Sequence, residues 1–458
     1  MKKNGLENLA IQVMDAWLEY HNRFTDLPGF QVCIRKKGQV IFSKAYGYAN
    51  LNTQSPLTIN DLFHIASHSK TFTSCAILQL VERGQLNLQQ SVLDYLPELK
   101  NHKDKRFKQI TIRDLLSNRS GLFRDGVDCE FWELHKPFPS KDQFLQEILS
   151  SNLIFSPNEH TKYSNMGFSL LGLILENVLE TSFQEVVNSL IFKKINVTRL
   201  LTDYEKAYKA KFADGHTRSL WEGKRLALKH APARALASAT GFCGNAEDTS
   251  LFFNTFLLGN YLVTKEMQQE IFSLNWAVKN TSSERYGLGL LFNSFSDMEL
   301  VGHSGSYPGF STYTAHWIGT DYVISFLLNT NAKIPLIIVR SLVQILQKIK
   351  EIFTNEEVIQ ATIGGPFINQ WGGLLCVLTK KKGLCFMLDN WVLCNEVLLL
   401  TSKDGENFIC EDQSGFHNIG EKITFKKDKN GNLLSIKWGS KILLLENIFL
   451  KNLQATLL

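Results

Sequence analysis

The sequence predicts an α+β fold, with helices against an antiparallel sheet, followed by a smaller antiparallel β domain. Two β-prone regions predict the sheet: a hairpin from Phe30 to Ala45 that turns at Lys37-Gly38, and further strands from Leu288 to Asn329. The chain between them reads as a mainly helical block. This is the mixed arrangement in which helices cover one face of an antiparallel sheet.

The helices of the first domain are predicted from the spacing of apolar residues. Residues 5 to 22 form an amphipathic helix on this criterion, with acids between the apolar positions Leu6, Leu9, Val13, Met14 and Trp17. The stretch that follows Ser67 predicts a helix buried on one side, and Leu170 to Leu179 predict another. A last helix, Pro335 to Ile352, is expected to pack on the sheet and close the domain.

The pattern of apolar and turn residues along the chain changes after about residue 356. Short apolar, β-prone runs alternate there with Gly, Asn, Asp and Lys turns: Leu374 to Thr379, Gly383 to Leu388, Val392 to Leu400, Lys422 to Phe425, Leu433 to Trp438 and Ile442 to Leu445. This pattern is typical of a small antiparallel barrel or sandwich. We therefore expect a catalytic domain over residues 1–355 and a C-terminal β domain over residues 356–458.

Length and composition favour a large globular enzyme. The chain has 458 residues, of which 44% are hydrophobic and 20% charged. Its 49 basic and 44 acidic residues leave a formal net charge of only +5. The richest basic run, Lys103 to Lys108, is short and contains Asp104, so it reads as a solvated loop. No nucleic-acid partner is predicted.

Neither a membrane span nor a leader is recognised in the sequence. The best apolar run, Ile334 to Leu346, is interrupted by Arg340, and the first residues lack an apolar signal core. The expected location is the cytoplasm, or the periplasm if a leader is missing from this sequence. No Cys-x-x-Cys pair occurs among the eight cysteines, so no zinc site is predicted, and neither another metal nor a cofactor is expected. Because no export signal is recognised, the thiols are expected to be free. The regular spacing of Cys376, Cys385 and Cys394 is interpreted as successive strands.

The strongest chemical signal is the tetrad Ser67-His68-Ser69-Lys70. Residues three apart on a helix are neighbours, so the Lys70 amine can reach the Ser67 hydroxyl if Ser67 opens the helix. The partial positive charge of a helix N-terminus would stabilise an alkoxide and disfavour an ammonium. The alternative for any such tetrad is a solvated surface pair. Ser67 and Lys70 form the only Ser-x-x-Lys of the chain and begin an amphipathic helix, which favours a serine nucleophile.

A second motif is Tyr163-Ser164-Asn165, just before the helix predicted from Leu170. Side chains two residues apart point the same way in an extended segment, so a phenol and an amide could face one substrate. The pattern is not specific, because Tyr20-His21-Asn22 and Tyr48-Ala49-Asn50 also match it. Tyr163 could equally be a turn tyrosine that bonds to the backbone, and only its position after the Ser67 tetrad favours the catalytic reading.

The third motif is His303-Ser304-Gly305-Ser306. Its small residues would let a ligand backbone lie along a strand edge, and the amide of Ser306 could face that of Ser67 across a reacting carbonyl. The alternative is a glycine-rich hairpin in which His303 is a hydrogen-bonded core residue.

With these three motifs in this order, the chain resembles the serine penicillin-binding-protein and β-lactamase superfamily. The resemblance is to its class C-like branch, peptidase S12, which also holds D-aminopeptidases and esterases, and it covers about residues 8–350. Further segments match in the same order: Gly47 to Asn50, Ile110 to Leu122 and Gly241 to Asp248. The resemblance implies a β-lactamase/transpeptidase-like domain for the first part of the chain.

The resemblance also implies a role for each motif residue. Ser67 would be the acylated nucleophile, with Lys70 and Tyr163 as the pair that handles its proton. Asn165, His303, Ser304 and Gly305 would bind substrate, and the backbone amides of Ser67 and Ser306 would form the oxyanion hole. Free tyrosine and lysine have pKa values of about 10 and 10.4, so neither is a base near neutrality unless burial and mutual electrostatics shift them. The sequence leaves open which of the two holds the proton.

One residue departs from the family pattern. His303 stands where most β-lactamases and transpeptidases have a lysine, and a histidine with a pKa of about 6.5 is mostly neutral at pH 7. Recognition of a substrate carboxylate is therefore expected to be weak. The favoured function is a metal-independent serine hydrolase acting on an ester, amide or small peptide. The alternatives are a non-catalytic scaffold with the same fold, and a weak β-lactamase or DD-peptidase; a homo-oligomer is possible in each case.

The segment from Asp203 to Ala237 is interpreted as an insertion. It is rich in Lys, Arg and Ala and has little periodicity. We expect it beside the cleft, where a loop can determine substrate choice.

Overall fold

The computed structural model describes residues 5–220, 223–279, 281–370, 372–388, 397–411 and 419–457. The chain divides into two compact units, Leu27–Leu336 and Met1–Asp26 with Ile337–Leu458. The second unit thus combines both ends of the chain. The boundary predicted after residue 355 lies within it, and the division into domains 1–355 and 356–458 stays a prediction.

The helices of the described residues mostly begin with a polar capping residue. Thr111 and Ser140 form capping boxes, and the side chains of Ser164 and Asn245 accept hydrogen bonds from backbone N–H groups of the helices they precede. In chain order the helices are α1 (Gly5–Phe24), α2 (Ser69–Glu82), α3 (Ile112–Leu116), α4 (Lys141–Ser150), α5 (Asn165–Leu179), α6 (Phe183–Val187), α7 (Lys193–Ile195), α8 (Ala246–Leu257), α9 (Lys265–Ser273), α10 (Pro335–Ile352) and α11 (Glu446–Leu457).

The unit Leu27–Leu336 contains two antiparallel sheets. Its strands are β1 (Gly29–Lys36), β2 (Gln39–Asn50), β3 (Ser55–Pro56), β4 (Phe63–His64), β5 (Leu200–Leu201), β6 (Cys243–Gly244), β7 (Asn275–Lys279), β8 (Thr281–Gly287), β9 (Leu291–Ser294), β10 (Glu299–Tyr307), β11 (Phe310–Trp317) and β12 (Tyr322–Leu328). The large sheet has the order β3-β2-β1-β12-β11-β10-β9-β8-β7, and the small sheet has the order β4-β6-β5. Strands from both ends of this unit therefore meet in one sheet, with β1 beside β12, and the predicted α+β class is confirmed.

The predicted hairpin between β1 and β2 is confirmed. Lys37 and Gly38 are the two turn residues, with φ of 50° and 77°. Positive φ at both central positions is the geometry that matches the twist of antiparallel strands, and glycine adopts it without strain. The turn chemistry therefore determines the register of β1 against β2, in which Lys36 pairs with Gln39.

The unit that joins the chain ends contains a closed antiparallel barrel of eight strands. They are β13 (Thr362–Asn369), β14 (Gly372–Leu378), β15 (Lys382–Met387), β16 (Val397–Ser402), β17 (Asn407–Cys410), β18 (Lys422–Lys427), β19 (Leu433–Trp438) and β20 (Lys441–Leu445). Its interior holds an apolar cluster that includes Phe367, Leu400 and Ile436. A small antiparallel β domain was the expectation, and the barrel confirms it.

Helices α1 and α11 both contact strands of this barrel. Buried residues of α1 include Leu9, Val13, Met14 and Trp17, which are four of the five positions that predicted an amphipathic helix.

Two of the three regularly spaced cysteines, Cys376 and Cys385, lie on successive strands, as their spacing predicted. Cys376 of β14 and Cys385 of β15 are directly opposite each other in the register, and both are buried. Cys394 and the start of the strand predicted from Val392 lie outside the described residues. Among the described cysteines, all seven are free thiols.

Across the described residues, no single helix combines the length and apolarity that a membrane crossing needs; one bent pair, Asn165–Leu179 with Phe183–Ile195, meets the two criteria jointly.

Candidate active site

Ser67 is the middle residue of a strained turn. Residues Ala66 to His68 form a 3-10 turn, and α2 begins only at Ser69, so Ser67 precedes the helix instead of opening it. Ala66 has a φ of 54°, a left-handed conformation that L residues adopt at a cost of about 1 kcal/mol or more. The Ser69 hydroxyl donates to the carbonyl oxygen of Ala66 at 2.5 Å and holds the turn in place. Ser67 lines a cleft.

Helix α2 is buried on every face over its first twelve residues, Ser69 to Leu80, so the prediction of burial on one side was wrong. Its hydroxyl groups explain how polar positions tolerate this environment. Thr71, Thr73 and Ser74 donate to backbone carbonyl oxygens of Gly289, Ser238 and Leu288 at 2.7–2.9 Å. Satisfied in this way, buried hydroxyls fix the helix to the segments that surround it.

Lys70 is the central hydrogen-bonding group of the site. Its amine lies 3.2 Å from Ser67 Oγ, 2.6 Å from Asn165 Oδ1 and 2.7 Å from the carbonyl oxygen of Ala239. The side chain is completely buried. Burial lowers the pKa of Lys70 well below its ordinary value; the Asp125 carboxylate opposes this shift and the Arg124 guanidinium adds to it. These directions favour the neutral amine.

Tyr163 contacts the same serine from the other side. Its hydroxyl donates to Ser67 Oγ at 2.6 Å, and the Lys70 amine lies 4.6 Å from the centre of its ring. Burial raises the pKa of Tyr163 above its ordinary value, although the hydrogen bond with Ser67 and the charge of Arg124 oppose the rise. This direction favours the protonated phenol. Together the two directions favour a neutral amine beside a protonated phenol, and the catalytic roles of the two groups stay a prediction.

Asn165 is the first residue of α5, which begins five residues before the predicted helix. The Ser164 side chain caps this helix by accepting from the Gly167 N–H at 3.0 Å, and Ser164 itself is extended. The capped start places the Asn165 amide at the positive end of the helix, beside Lys70. Its oxygen accepts from Lys70, and its nitrogen donates to the carboxylate of Asp125.

Strand β10 forms the opposite wall of the site. Ser304 and Ser306 are exposed, whereas Gly305 between them is buried, as expected for alternation on a strand. A Cβ atom built on Gly305 would lie 2.4 Å from the carbonyl oxygen of Ile65 and 3.2 Å from the Cβ atom of Ala66. Only glycine allows this close approach, which brings the strand against the turn that carries Ser67. The oxyanion-hole role of the Ser67 and Ser306 amides stays a prediction.

His303 is buried behind this wall. Its Nε2 atom lies 3.0 Å from the Tyr286 hydroxyl, and its Nδ1 atom lies 2.6 Å from the carbonyl oxygen of Ser304. A carbonyl can only accept, so Nδ1 carries the proton and Nε2 accepts from Tyr286. Burial lowers the pKa of His303 well below its ordinary value, and the nearby Lys70 adds to the shift. A direct contact of His303 with substrate remains a prediction.

The cleft in front of Ser67 has a volume of about 1160 Å³ and a mixed lining. Apolar side chains include Trp132, Leu134, Leu220 and Leu228, and the charged ones are Arg124, Glu133, Arg218 and Lys333. Thr217, Arg218, Leu220 and Leu228 belong to the segment interpreted as an insertion, and they lie beside the cleft as predicted. No group of three or more His, Cys, Asp and Glu side chains within the described ranges is arranged to hold a metal ion.

The structure brings Ser67, Lys70, Tyr163 and Asn165 together, with Ser304 and Ser306 facing the same cleft. Three contributors escaped the sequence reasoning. The carbonyl of Ala239 is a backbone group, which no side-chain motif reports, and the left-handed φ of Ala66 has no residue-type signal. Asp125 lies three residues beyond the matched segment that ends at Leu122, and an Arg-Asp dipeptide in a loop carries no specific pattern.

Comparison with known proteins agrees with this geometry. The protein named flp from Staphylococcus aureus (strain NCTC 8325 / PS 47) is 27% identical over 338 residues, which cover 72% of this chain and 65% of flp. The chain thus spans about 65% of the length of this curated relative.

Two solved structures share the fold. The D-amino acid amidase from Ochrobactrum anthropi SV3 has a TM-score of 0.62 at 20% identity and covers 76% of this chain and 99% of its own. The octameric penicillin-binding protein homologue from Pyrococcus abyssi has a TM-score of 0.62 at 19% identity and covers 97% of this chain and 100% of its own. The family model described as Beta-lactamase matches residues 14–342. This protein therefore belongs to the Beta-lactamase family, within the serine β-lactamase and penicillin-binding-protein superfamily.

Proposed function

We propose that this protein is a serine hydrolase that forms an acyl-enzyme on Ser67 with an ester, amide or small peptide substrate. One observation carries the proposal: Ser67 Oγ lies within hydrogen-bond distance of two proton-handling groups, Tyr163 Oη at 2.6 Å and Lys70 Nζ at 3.2 Å. A serine hydroxyl is a weak nucleophile unless an adjacent base accepts its proton. A buried neutral amine at this distance supplies that base.

The hydrogen bonds of Lys70 are consistent with a neutral amine. A neutral amine has two N–H groups and one lone pair. Asn165 Oδ1 and the Ala239 carbonyl oxygen can only accept, so they take the two N–H groups. The lone pair is then left for the Ser67 hydroxyl proton, while Ser67 Oγ accepts from Tyr163. Every donor in this arrangement has an acceptor.

Acylation would follow from this arrangement. As Ser67 Oγ attacks the substrate carbonyl carbon, its proton passes to Lys70 Nζ. The Tyr163 hydroxyl can then donate its proton to the leaving group when the tetrahedral intermediate collapses, and the Lys70 ammonium returns a proton to Tyr163. Water would hydrolyse the acyl-enzyme by the same transfers in reverse. General-base assistance of this kind contributes about a hundred- to ten-thousand-fold in rate.

The cleft supports a substrate larger than a simple ester. A volume of about 1160 Å³ exceeds that of an acetyl or propionyl group, and its charged lining offers partners for polar substituents. One structural neighbour is described as a D-amino acid amidase, which supports amides as a class to test first. Another is described as octameric, so light scattering should determine whether this chain also assembles. A cytoplasmic location stays a prediction, with the periplasm as its alternative.

A fluorophosphonate probe tests the proposal directly. Intact-mass analysis should show one covalent adduct on the wild type and none on Ser67→Ala, with the same thermal midpoint in both. Ser219→Ala is a matched control, because Ser219 is an exposed serine of the segment beside the cleft. An adduct on Ser67→Ala, or no adduct on the wild type, would favour the alternative of a non-catalytic scaffold with this fold.

A further inference from the structure

Asp125 lies directly behind the catalytic groups, in the loop that connects α3 and α4. One oxygen of its carboxylate accepts a hydrogen bond from Asn165 Nδ2, and the other lies 2.9 Å from Arg124 Nε. The side chain is only 9% exposed. The Asn165 amide therefore bridges the nearly buried Asp125 carboxylate and the Lys70 amine.

The carboxylate determines which way the Asn165 amide faces. An amide presents an acceptor at one end and two donors at the other, and the two orientations have nearly the same shape. An ionised carboxylate only accepts, so it selects the orientation in which Nδ2 points to Asp125 and Oδ1 points to Lys70. In the flipped orientation the Asn165 nitrogen would face the Lys70 amine, donor against donor. The amine would then lose an acceptor that holds it at 2.6 Å.

The carboxylate also acts by its charge. Four charged or titratable groups surround the Lys70 amine: Arg124 and Asp125 of the loop, Tyr163 before α5, and His303 of β10. The Asp125 carboxylate raises the pKa of Lys70, whereas burial and Arg124 lower it.

The backbone of this loop is held independently of the carboxylate. The carbonyl oxygen of Arg124 accepts from the backbone N–H of Asn165 at 2.9 Å and of Met166 at 3.3 Å. These bonds attach the loop to the start of α5 whatever side chain stands at position 125. The Asp125 carboxylate can therefore be removed without detaching the loop.

We propose that Asp125 is a positioning residue of this site: it fixes the Asn165 amide with its oxygen toward Lys70, and so holds the Lys70 amine against the Ser67 hydroxyl. This inference rests on the proposed function. It assigns to Asp125 a role in proton transfer without any contact between Asp125 and substrate.

Two substitutions separate the effect of the Asp125 hydrogen bond on the Asn165 amide from the effect of its negative charge. Asp125→Asn keeps an oxygen that can accept from Asn165 Nδ2 but removes the negative charge, whereas Asp125→Ala removes both. The rate of Ser67 labelling by a fluorophosphonate should be measured from pH 5 to 10. Because displacement of a catalytic group by about 1 Å can cost about a hundredfold, Asp125→Ala should lower the plateau rate about ten- to a hundredfold. Asp125→Asn should keep the plateau within about threefold of the wild type.

The pH profile gives the readout that a purely structural role would not produce. Without the carboxylate, the pKa of Lys70 falls further, so the neutral amine persists to lower pH. The acidic limb of the labelling profile should therefore move to lower pH in Asp125→Asn. The control is Asp128→Asn, an exposed aspartate of the same loop whose side chain is 59% exposed and pairs with Lys136; its profile should match the wild type. If both Asp125 variants kept the wild-type plateau rate and the wild-type acidic limb of the labelling profile, the proposal would be overturned.

A second measurement keeps this inference separate from the proposed function. In protein labelled with ¹³C at lysine Cε, the Lys70 resonance, identified by its loss in Lys70→Arg, can be titrated by NMR without any reaction. A lower titration midpoint in Asp125→Asn than in the wild type supports the proposal, and equal midpoints together with a wild-type plateau rate in Asp125→Ala overturn it. Failure of the wild type to label would instead count against the hydrolase assignment alone.

Discussion

Substitution of Gly305 by alanine tests how closely β10 must approach the nucleophile. The new Cβ atom would lie 2.3 Å from Thr312 Oγ1 and 2.4 Å from the carbonyl oxygen of Ile65. The threonine side chain can rotate away, but the Ile65 oxygen belongs to the backbone that leads directly into Ala66 and Ser67. Restoring a contact of about 3.0 Å there separates strand and turn by roughly 0.6 Å. Because an error of about 1 Å can cost about a hundredfold in rate, we expect acylation to slow about ten- to a hundredfold.

The assay is the rate of fluorophosphonate labelling, with turnover of a p-nitrophenyl ester as a second readout. The matched control is Gly319→Ala, in the turn between β11 and β12 of the same sheet, where a Cβ atom would meet nothing within 4 Å. Gly319 has a φ of 78°, so alanine there should lower the thermal midpoint while labelling stays within about twofold. Labelling of Gly305→Ala at the wild-type rate would refute the idea that the strand must lie against the nucleophile turn.

Three further predictions concern the charges of the site. Lys70→Ala and Tyr163→Phe should each slow ester turnover about a hundred- to ten-thousand-fold. The loss of rate in the double variant should be far smaller than the product of the two single losses, because both groups act in one chain of proton transfers; full additivity would contradict this. Burial lowers the pKa of Lys70, so between that lowered value and about 10.5 the unfolded chain binds a proton that the folded chain lacks, and the free energy of unfolding rises with pH. Lys70→Met should therefore raise the calorimetric midpoint by about 2 °C at pH 7 and by less at pH 10, whereas a midpoint below that of the wild type at pH 7 would argue against a costly amine. Since burial keeps His303 neutral, a chromogenic cephalosporin should be hydrolysed at least about a hundredfold more slowly than a short-chain ester at pH 7, and fast, saturable cephalosporin turnover would refute the argument from charge.

The fold could be predicted where local chemistry determines it. Lys37-Gly38 specifies a two-residue turn, and the helix Pro335–Ile352 has the bounds that its apolar spacing predicts. Strand β13 was missed because Gly364-Gly365-Pro366 interrupts its apolar run, and a register shift between Gly364 and Phe367 accommodates the interruption. Helix α11 was missed because no turn residue separates it from β20. Register shifts and direct strand-to-helix junctions depend on tertiary contacts, which a sequence pattern does not report.

In the candidate site, too, some groups could be predicted from local sequence and others depend on tertiary contacts. Ser67, Lys70, Tyr163 and Asn165 could be recognised because each carries a reactive or hydrogen-bonding side chain in a spaced motif. Their supporting groups could not, because a backbone carbonyl or a left-handed φ leaves no trace in residue type. Asp125 has a side chain, but its contact with Asn165 spans 40 residues and depends on how the loop folds back on α5.

The charges in this site indicate which substrates it favours. His303 is neutral, and both of its ring nitrogens are hydrogen-bonded. Strand β10 therefore has no fixed positive charge at this position, where most β-lactamases and transpeptidases of the superfamily have a lysine. The cation close to Tyr163 is Arg124, whose guanidinium carbon lies 5.8 Å from the centre of the Tyr163 ring and whose charge is opposed by Asp125. The Lys70 amine lies 3.2 Å from Ser67 Oγ, and burial lowers its pKa and so disfavours its charged form. A substrate carboxylate close to Ser67 would therefore find no uncompensated positive charge among these groups, which favours substrates that are uncharged near the scissile bond. A series of p-nitrophenyl esters that differ only by a carboxylate near the carbonyl tests this directly: the neutral member should have the higher kcat/KM, and a preference for the anion would mean that Arg218 or Lys333 on the cleft wall binds it instead.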